Sequence, residues 1–70
     1  MKSRLKLLRA EHNLTQEELA TRIGVSRQAI NALETERHDP SLDLAHKIAA
    51  AFAVPIEHVF PNPYEQRSAS

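Results

Sequence analysis

Residues 15–35 read TQEELATRIGVSRQAINALET, and nearly every position in that window answers a structural demand. Thr15 and Glu18 make a T-x-x-E capping box that specifies where a helix begins. Gln16, Glu17 and Glu18 open that helix, and Leu19, Ala20 and Ile23 form its inward face. Gly24, the only glycine in the chain, leaves the helix in a left-handed conformation without a Cβ penalty. Val25 plugs the turn, and Ser26 can accept a backbone N–H at the start of a second helix. Ile30 and Leu33 face inward on this second helix, while Arg27, Gln28 and Asn31 face outward.

Two helices that cross steeply through a turn of about three to four residues leave little room between them, so the close-approach position must be small. Ala20 is. The window therefore reads as a helix-turn-helix, and its outward face has the chemistry to read base edges. Arginine forks onto guanine O6 and N7, and glutamine or asparagine pairs with adenine N6 and N7, each worth about 1–3 kcal/mol of discrimination. Positions 27, 28 and 31 share one face, so all three side chains can reach neighbouring base pairs in a major groove. The bland alternative is a solvated polar face.

The 70 residues make one small domain, which buries only about 60% of its unfolded surface. The absence of cysteine excludes disulfides and thiolate zinc sites, so packing between helices has to stabilise the fold. No apolar run approaches the roughly 20 residues that span a bilayer, and no segment reads as a signal peptide, so a cytoplasmic protein is expected. Formal net charge is zero, but it is unevenly spread. Residues 1–37 hold seven Lys or Arg against five Glu, and residues 38–70 hold two basic against four acidic. Such a modest local excess predicts weak non-specific binding to nucleic acid and a need for dimerisation or good base contacts.

Apolar spacing and helix breakers predict an all-α fold of five helices. The first runs from about residue 2 to His12, with Leu5 and Leu8 inward and Asn13 as its terminator. The second and third are the pair already described. His38, Asp39 and Pro40 form a loop. Ser41 then caps a fourth helix with Leu42, Ala45, Ile48, Ala49 and Phe52 at helical spacing. Pro55 sits near the first turn of a short fifth helix, where Ile56, Val59 and Phe60 close the core. The domain is thus expected over residues 1–60, with residues 61–70, PNPYEQRSAS, as an extended or disordered tail.

The pieces LTQEELA (14–20), VSRQAIN (25–31) and DPSL (39–42), followed by the AF-x-V turn at 51–54, resemble the Xre/Cro-like (lambda repressor-like) helix-turn-helix regulators. The resemblance covers residues 4–60 and is closest to minimal regulators built from this domain alone. It implies a five-helix lambda repressor-like fold and binding to double-stranded DNA at palindromic operators as a homodimer. It also implies roles by position. Arg27, Gln28 and Asn31 read bases; Gln16, Thr35 and Arg37 contact the DNA backbone. Arg9 and Glu34 form an interior salt bridge, which with Ala20 and Gly24 is structural. Val59, Phe60 and Tyr64 lie near the end where relatives dimerise. The family usually has glycine where this chain has Glu36 and Ala53, and commonly a capping serine at Pro55. A non-glycine left-handed cap costs on the order of 1 kcal/mol.

Other features have bland and sharp readings side by side. Lys2, Arg4 and Lys6 are either a solvated amino end or phosphate contacts. Leu7 lies off the core stripe of the first helix and either covers the rim of the core or meets a partner. His12, His38, His46 and His58 fall on different elements with no pair at ligand spacing, so no metal or other cofactor is expected. No catalytic constellation or small-molecule pocket is evident either, and the chain is not expected to be an enzyme. Two functional classes remain: a sequence-specific DNA-binding regulator, acting as a repressor, or a protein-interaction module such as an antitoxin with weak DNA contact.

Overall fold

Three helices start where a hydroxyl side chain replaces a missing backbone partner. Thr15 Oγ1 accepts the Glu18 N–H at 3.0 Å, while Glu18 Oε1 accepts the Thr15 N–H at 2.8 Å, which completes the capping box. Ser26 and Ser41 accept the N–H groups of Ala29 and Leu44, both at 3.1 Å. Each bond satisfies a donor that the helix leaves orphaned.

The computed structural model describes residues 1–64. The helices are α1 (Leu5–Glu11), α2 (Gln16–Ile23), α3 (Arg27–Glu34), α4 (Leu42–Phe52) and α5 (Ile56–Val59), with no strand among the described residues. The fold is all-α. Residues 61–64 form a turn in which Asn62 Oδ1 accepts the Tyr64 N–H at 2.8 Å; the rest of the expected tail lies outside the described residues.

The first helix starts later than apolar spacing predicts. Arg4 donates its N–H across the molecule to the Val59 carbonyl at 2.8 Å, and Ser3 Oγ accepts the Leu5 N–H at 3.1 Å. A segment tied to α5 in this way is not free to wind further back into α1.

Helices α1 to α4 end alike. Asn13, Gly24, Glu36 and Ala53 have φ of 56°, 78°, 62° and 56°, in the left-handed region. The next N–H folds back each time: Leu14 to Arg9 O at 2.9 Å, Val25 to Ala20 O at 2.9 Å, Arg37 to Ala32 O at 3.0 Å and Val54 to Ala49 O at 3.0 Å. These are Schellman closures, which satisfy carbonyls the helix would otherwise leave bare. Only Gly24 adopts the conformation without strain.

All five helices feed one core. Leu5, Leu19, Ile30, Ile48 and Val59 are the largest fully buried side chains, one from each helix. Ala20 is buried too, where α2 packs on α3. Leu33, Ala45, Ala49, Phe52 and Phe60 fill the remaining space. Leu7 stays exposed rather than covering the rim of this core.

Candidate nucleic-acid interface

Ile30 and Leu33 anchor α3 in the core, and that fixes which side chains the helix turns outward. Arg27 and Gln28 stand exposed at its amino end, and Asn31 is half-buried one turn on. Together with Gln16, the first residue of α2, they line a shallow cleft of about 170 Å³.

Behind this cleft runs a continuous polar chain. Arg9 on α1 forks onto the Glu34 carboxylate through Nε and Nη2, the latter at 3.0 Å, and donates Nη1 to the Leu14 carbonyl at 2.7 Å. Gln16 Nε2 donates to Glu34 Oε1 at 3.0 Å and to Asn31 Oδ1 at 3.2 Å. The Arg9 and Glu34 side chains are only 15% and 5% exposed, so little water competes for this pair. Burial alone would raise the Glu34 pKa; the hydrogen bonds from Arg9 and Gln16, with the nearby charges of Arg9 and Lys6, outweigh it and hold the group below the ordinary carboxylate value. The hydrogen bond to Glu34 pushes the Arg9 guanidinium upward against the opposing effect of burial.

At the other end of α3, Thr35 donates its hydroxyl to the Asn31 carbonyl at 2.9 Å and accepts the Arg37 Nε–H at 3.2 Å. Thr35 thereby spends its one donor inside the helix, and Arg37 is held by its inner nitrogen with the guanidinium exposed. Glu36 accepts the Ser3 N–H at 3.1 Å, which turns its charge towards the amino-terminal segment.

The geometry brings Gln16, Arg27, Gln28 and Asn31 together, and Thr35 with Arg37, but it disposes the expected dimer residues otherwise. Val59 and Phe60 are 0% and 6% exposed because they belong to the core of the monomer, so they offer a partner almost no surface. Tyr64, at 86%, is the one that stands free. A cleft of about 380 Å³ lies beside it, lined among others by Met1, Pro40, Leu42, Ile56 and Phe60. The family resemblance also has Gln16 brace the recognition helix, but sequence reasoning missed the identity of its partners, Asn31 and Glu34. Its signal was present: a long amide at the first position of one helix, opposite a carboxylate that an arginine already occupies. Among the described residues no group of three or more His, Cys, Asp or Glu side chains could hold a metal ion, and no helix is long and apolar enough to cross a membrane.

A capped helix, a glycine turn and a second capped helix with a polar outer face define a helix-turn-helix domain. Comparison with known proteins narrows the class: the helix-turn-helix family model matches residues 5–59. The chain belongs to the Xre/lambda repressor-like helix-turn-helix family, whose members are DNA-binding transcriptional regulators and not enzymes. An uncharacterised HTH-type transcriptional regulator of Methanocaldococcus jannaschii, MJ0272, is 60% identical over 60 residues, covering 86% of this chain and 91% of its own. The transcriptional repressor RstR of the cryptic phage CTXphi, from Vibrio cholerae, is 39% identical over 54 residues, covering 77% of this chain and 49% of its own. A crystal structure of the hypothetical transcription factor NHTF from Neisseria superposes with a TM-score of 0.70 at 35% identity. That match covers 74% of this chain and 58% of the other.

Proposed function

We propose that this chain is a sequence-specific regulator that binds a palindromic operator as a homodimer and represses by occupying promoter DNA. The observation that carries the reading is the placement of Arg27, Gln28 and Asn31 on the outer face of a helix whose inner face is locked by Ile30 and Leu33. Two such helices in one dimer would enter major grooves roughly one turn, about 34 Å, apart. The named phage repressors among its relatives support the sign of regulation. Arg37, held by Thr35 with its outer nitrogens exposed, is the phosphate contact on the flank.

Leu42 and Tyr64, 70% and 86% exposed beside the 380 Å³ cleft, are the apolar surface that supports dimerisation. Sedimentation showing a dimer at micromolar concentration that Leu42→Glu dissociates is the expected result. A monomer throughout would refute that half of the reading.

In vitro selection from a random duplex library at near-physiological salt tests the whole. The expected product is a palindrome whose base choice relaxes in Arg27→Ala and Gln28→Ala while both variants stay folded. The zero formal charge favours the other class, a protein-binding module. Retention that yields no consensus and disappears as salt rises would favour it, because purely electrostatic contact is lost with counterion release.

A further inference from the structure

We propose that Asn31 offers its base pair a donor in preference to an acceptor and so selects guanine over adenine, because Gln16 draws its carbonyl oxygen towards α2. The inference rests on the DNA-reading role proposed above and specifies the chemistry of one position in it.

The argument starts in the interior. Glu34, forked by Arg9, is a carboxylate, and a carboxylate offers acceptors alone. The group that Gln16 turns towards Glu34 must therefore be its NH2, since the reverse orientation would press two oxygens together. That NH2 has a second hydrogen, and Asn31 Oδ1 lies 3.2 Å from the same nitrogen. A donor facing Asn31 demands the oxygen of its amide. Each assignment forces the next, so the ion pair between α1 and α3 settles which end of Asn31 faces α2 and which end is left for DNA.

The Asn31 oxygen keeps a second lone pair, but the bond to Gln16 aims it at α2 and leaves the NH2 as the end for DNA. An asparagine free at both ends matches adenine, taking N6–H with its oxygen and giving a hydrogen to N7. With the oxygen engaged, the NH2 suits the adjacent acceptors O6 and N7 of guanine, while the N6 amine of adenine would confront it as a second donor. Gln16, with both hydrogens occupied, acts here as a positioning residue.

The test uses the full chain and three selections from one duplex library. The base pair whose preference vanishes in Asn31→Ala is the one Asn31 faces. In the unaltered protein guanine should exceed adenine there by roughly tenfold, and Gln16→Met, which removes the brace at similar length, should collapse or invert that ratio. Adenine preferred by the unaltered protein, or guanine preferred equally in Gln16→Met, overturns the proposal while leaving the regulator intact. No consensus at all overturns the DNA reading and this inference with it. A measurement without DNA checks the orientation separately. In a 15N spectrum of the side-chain amides, both Gln16 protons should be protected from solvent exchange and the Asn31 pair unprotected. Protection of the Asn31 pair overturns the proposal, even if Gln16→Met should fail to fold.

Discussion

Helix α3 is held from two sides by different physics. Below, Ile30 and Leu33 sit in an apolar core that has no directional preference and rewards any good fit. To one side, Arg9, Glu34, Gln16 and Asn31 form a chain of hydrogen bonds in which every donor must meet an acceptor. The apolar seam decides where the helix lies, and the polar seam decides how a side chain on its outer face is turned. Stability should therefore follow the first seam more strongly, and base choice the second.

The largest effect should come from breaking the apolar seam. Ile30→Ala leaves a cavity in the core and should cost about 2–5 kcal/mol, which denaturant unfolding would measure as a fall in midpoint. In a domain this small, that loss approaches the whole stability of the fold. A cost below about 1 kcal/mol would mean that the core closes around the gap. Arg9→Met should follow at about 2–3 kcal/mol, because it leaves a nearly buried Glu34 without its main counter-charge. Arg9→Met together with Glu34→Leu should recover much of that loss, since the penalty lies in the orphaned charge and not in the missing attraction.

Acid sharpens the same contrast. The folded pKa of Glu34 is depressed, so its stabilising contribution is complete above the unfolded carboxylate value and is lost as pH falls through the folded value. Stability measured downward from about pH 5 should drop, and the part due to this pair should vanish in Glu34→Gln. Ile30→Ala should leave that slope nearly unaltered. The smallest effect concerns the far end of α3, outside both seams. Glu36→Gly relieves a left-handed residue and should gain at most about 1 kcal/mol, less what is lost with the Ser3 hydrogen bond. It also removes a negative charge near Arg37, so affinity for duplex DNA should rise modestly at low salt.

The apolar seam was legible in the sequence because periodicity encodes it directly: Leu5, Leu19, Ile30, Ile48 and Val59 all occupy positions that helical spacing assigns to the inside. Caps were legible for the same local reason, since Thr15, Ser26 and Ser41 act within three residues of themselves. The start of α1 was not, because Arg4 is bonded to Val59, far along the chain. Phe60 carried two readings, one closing the core, where it is 6% exposed, and one near the dimerising end. A large aromatic residue beside a tail can face a partner or its own core, and only the packing of α4 against α5 decides between them. The polar seam lay between these extremes. Arg9 with Glu34 came through family resemblance, whereas the extension to Gln16 and Asn31 depends on where α2 starts relative to α3, which spacing does not encode.

The five fully buried side chains have a consequence for how such a molecule can be controlled. With one buried residue contributed by every helix, the structure resembles an arch whose stones share a single keystone, and no helix can swing away while the others stand. Opening any part exposes the common centre, so hydrogen exchange at the heart of all five helices should report one and the same unfolding event. Among the described residues, that shared core leaves little scope for one helix to move alone and so alter the outer face of α3. In the dimeric regulator proposed above, occupancy of DNA would then follow how many copies are present and how readily they pair, so that a change in abundance takes the place of a change in shape.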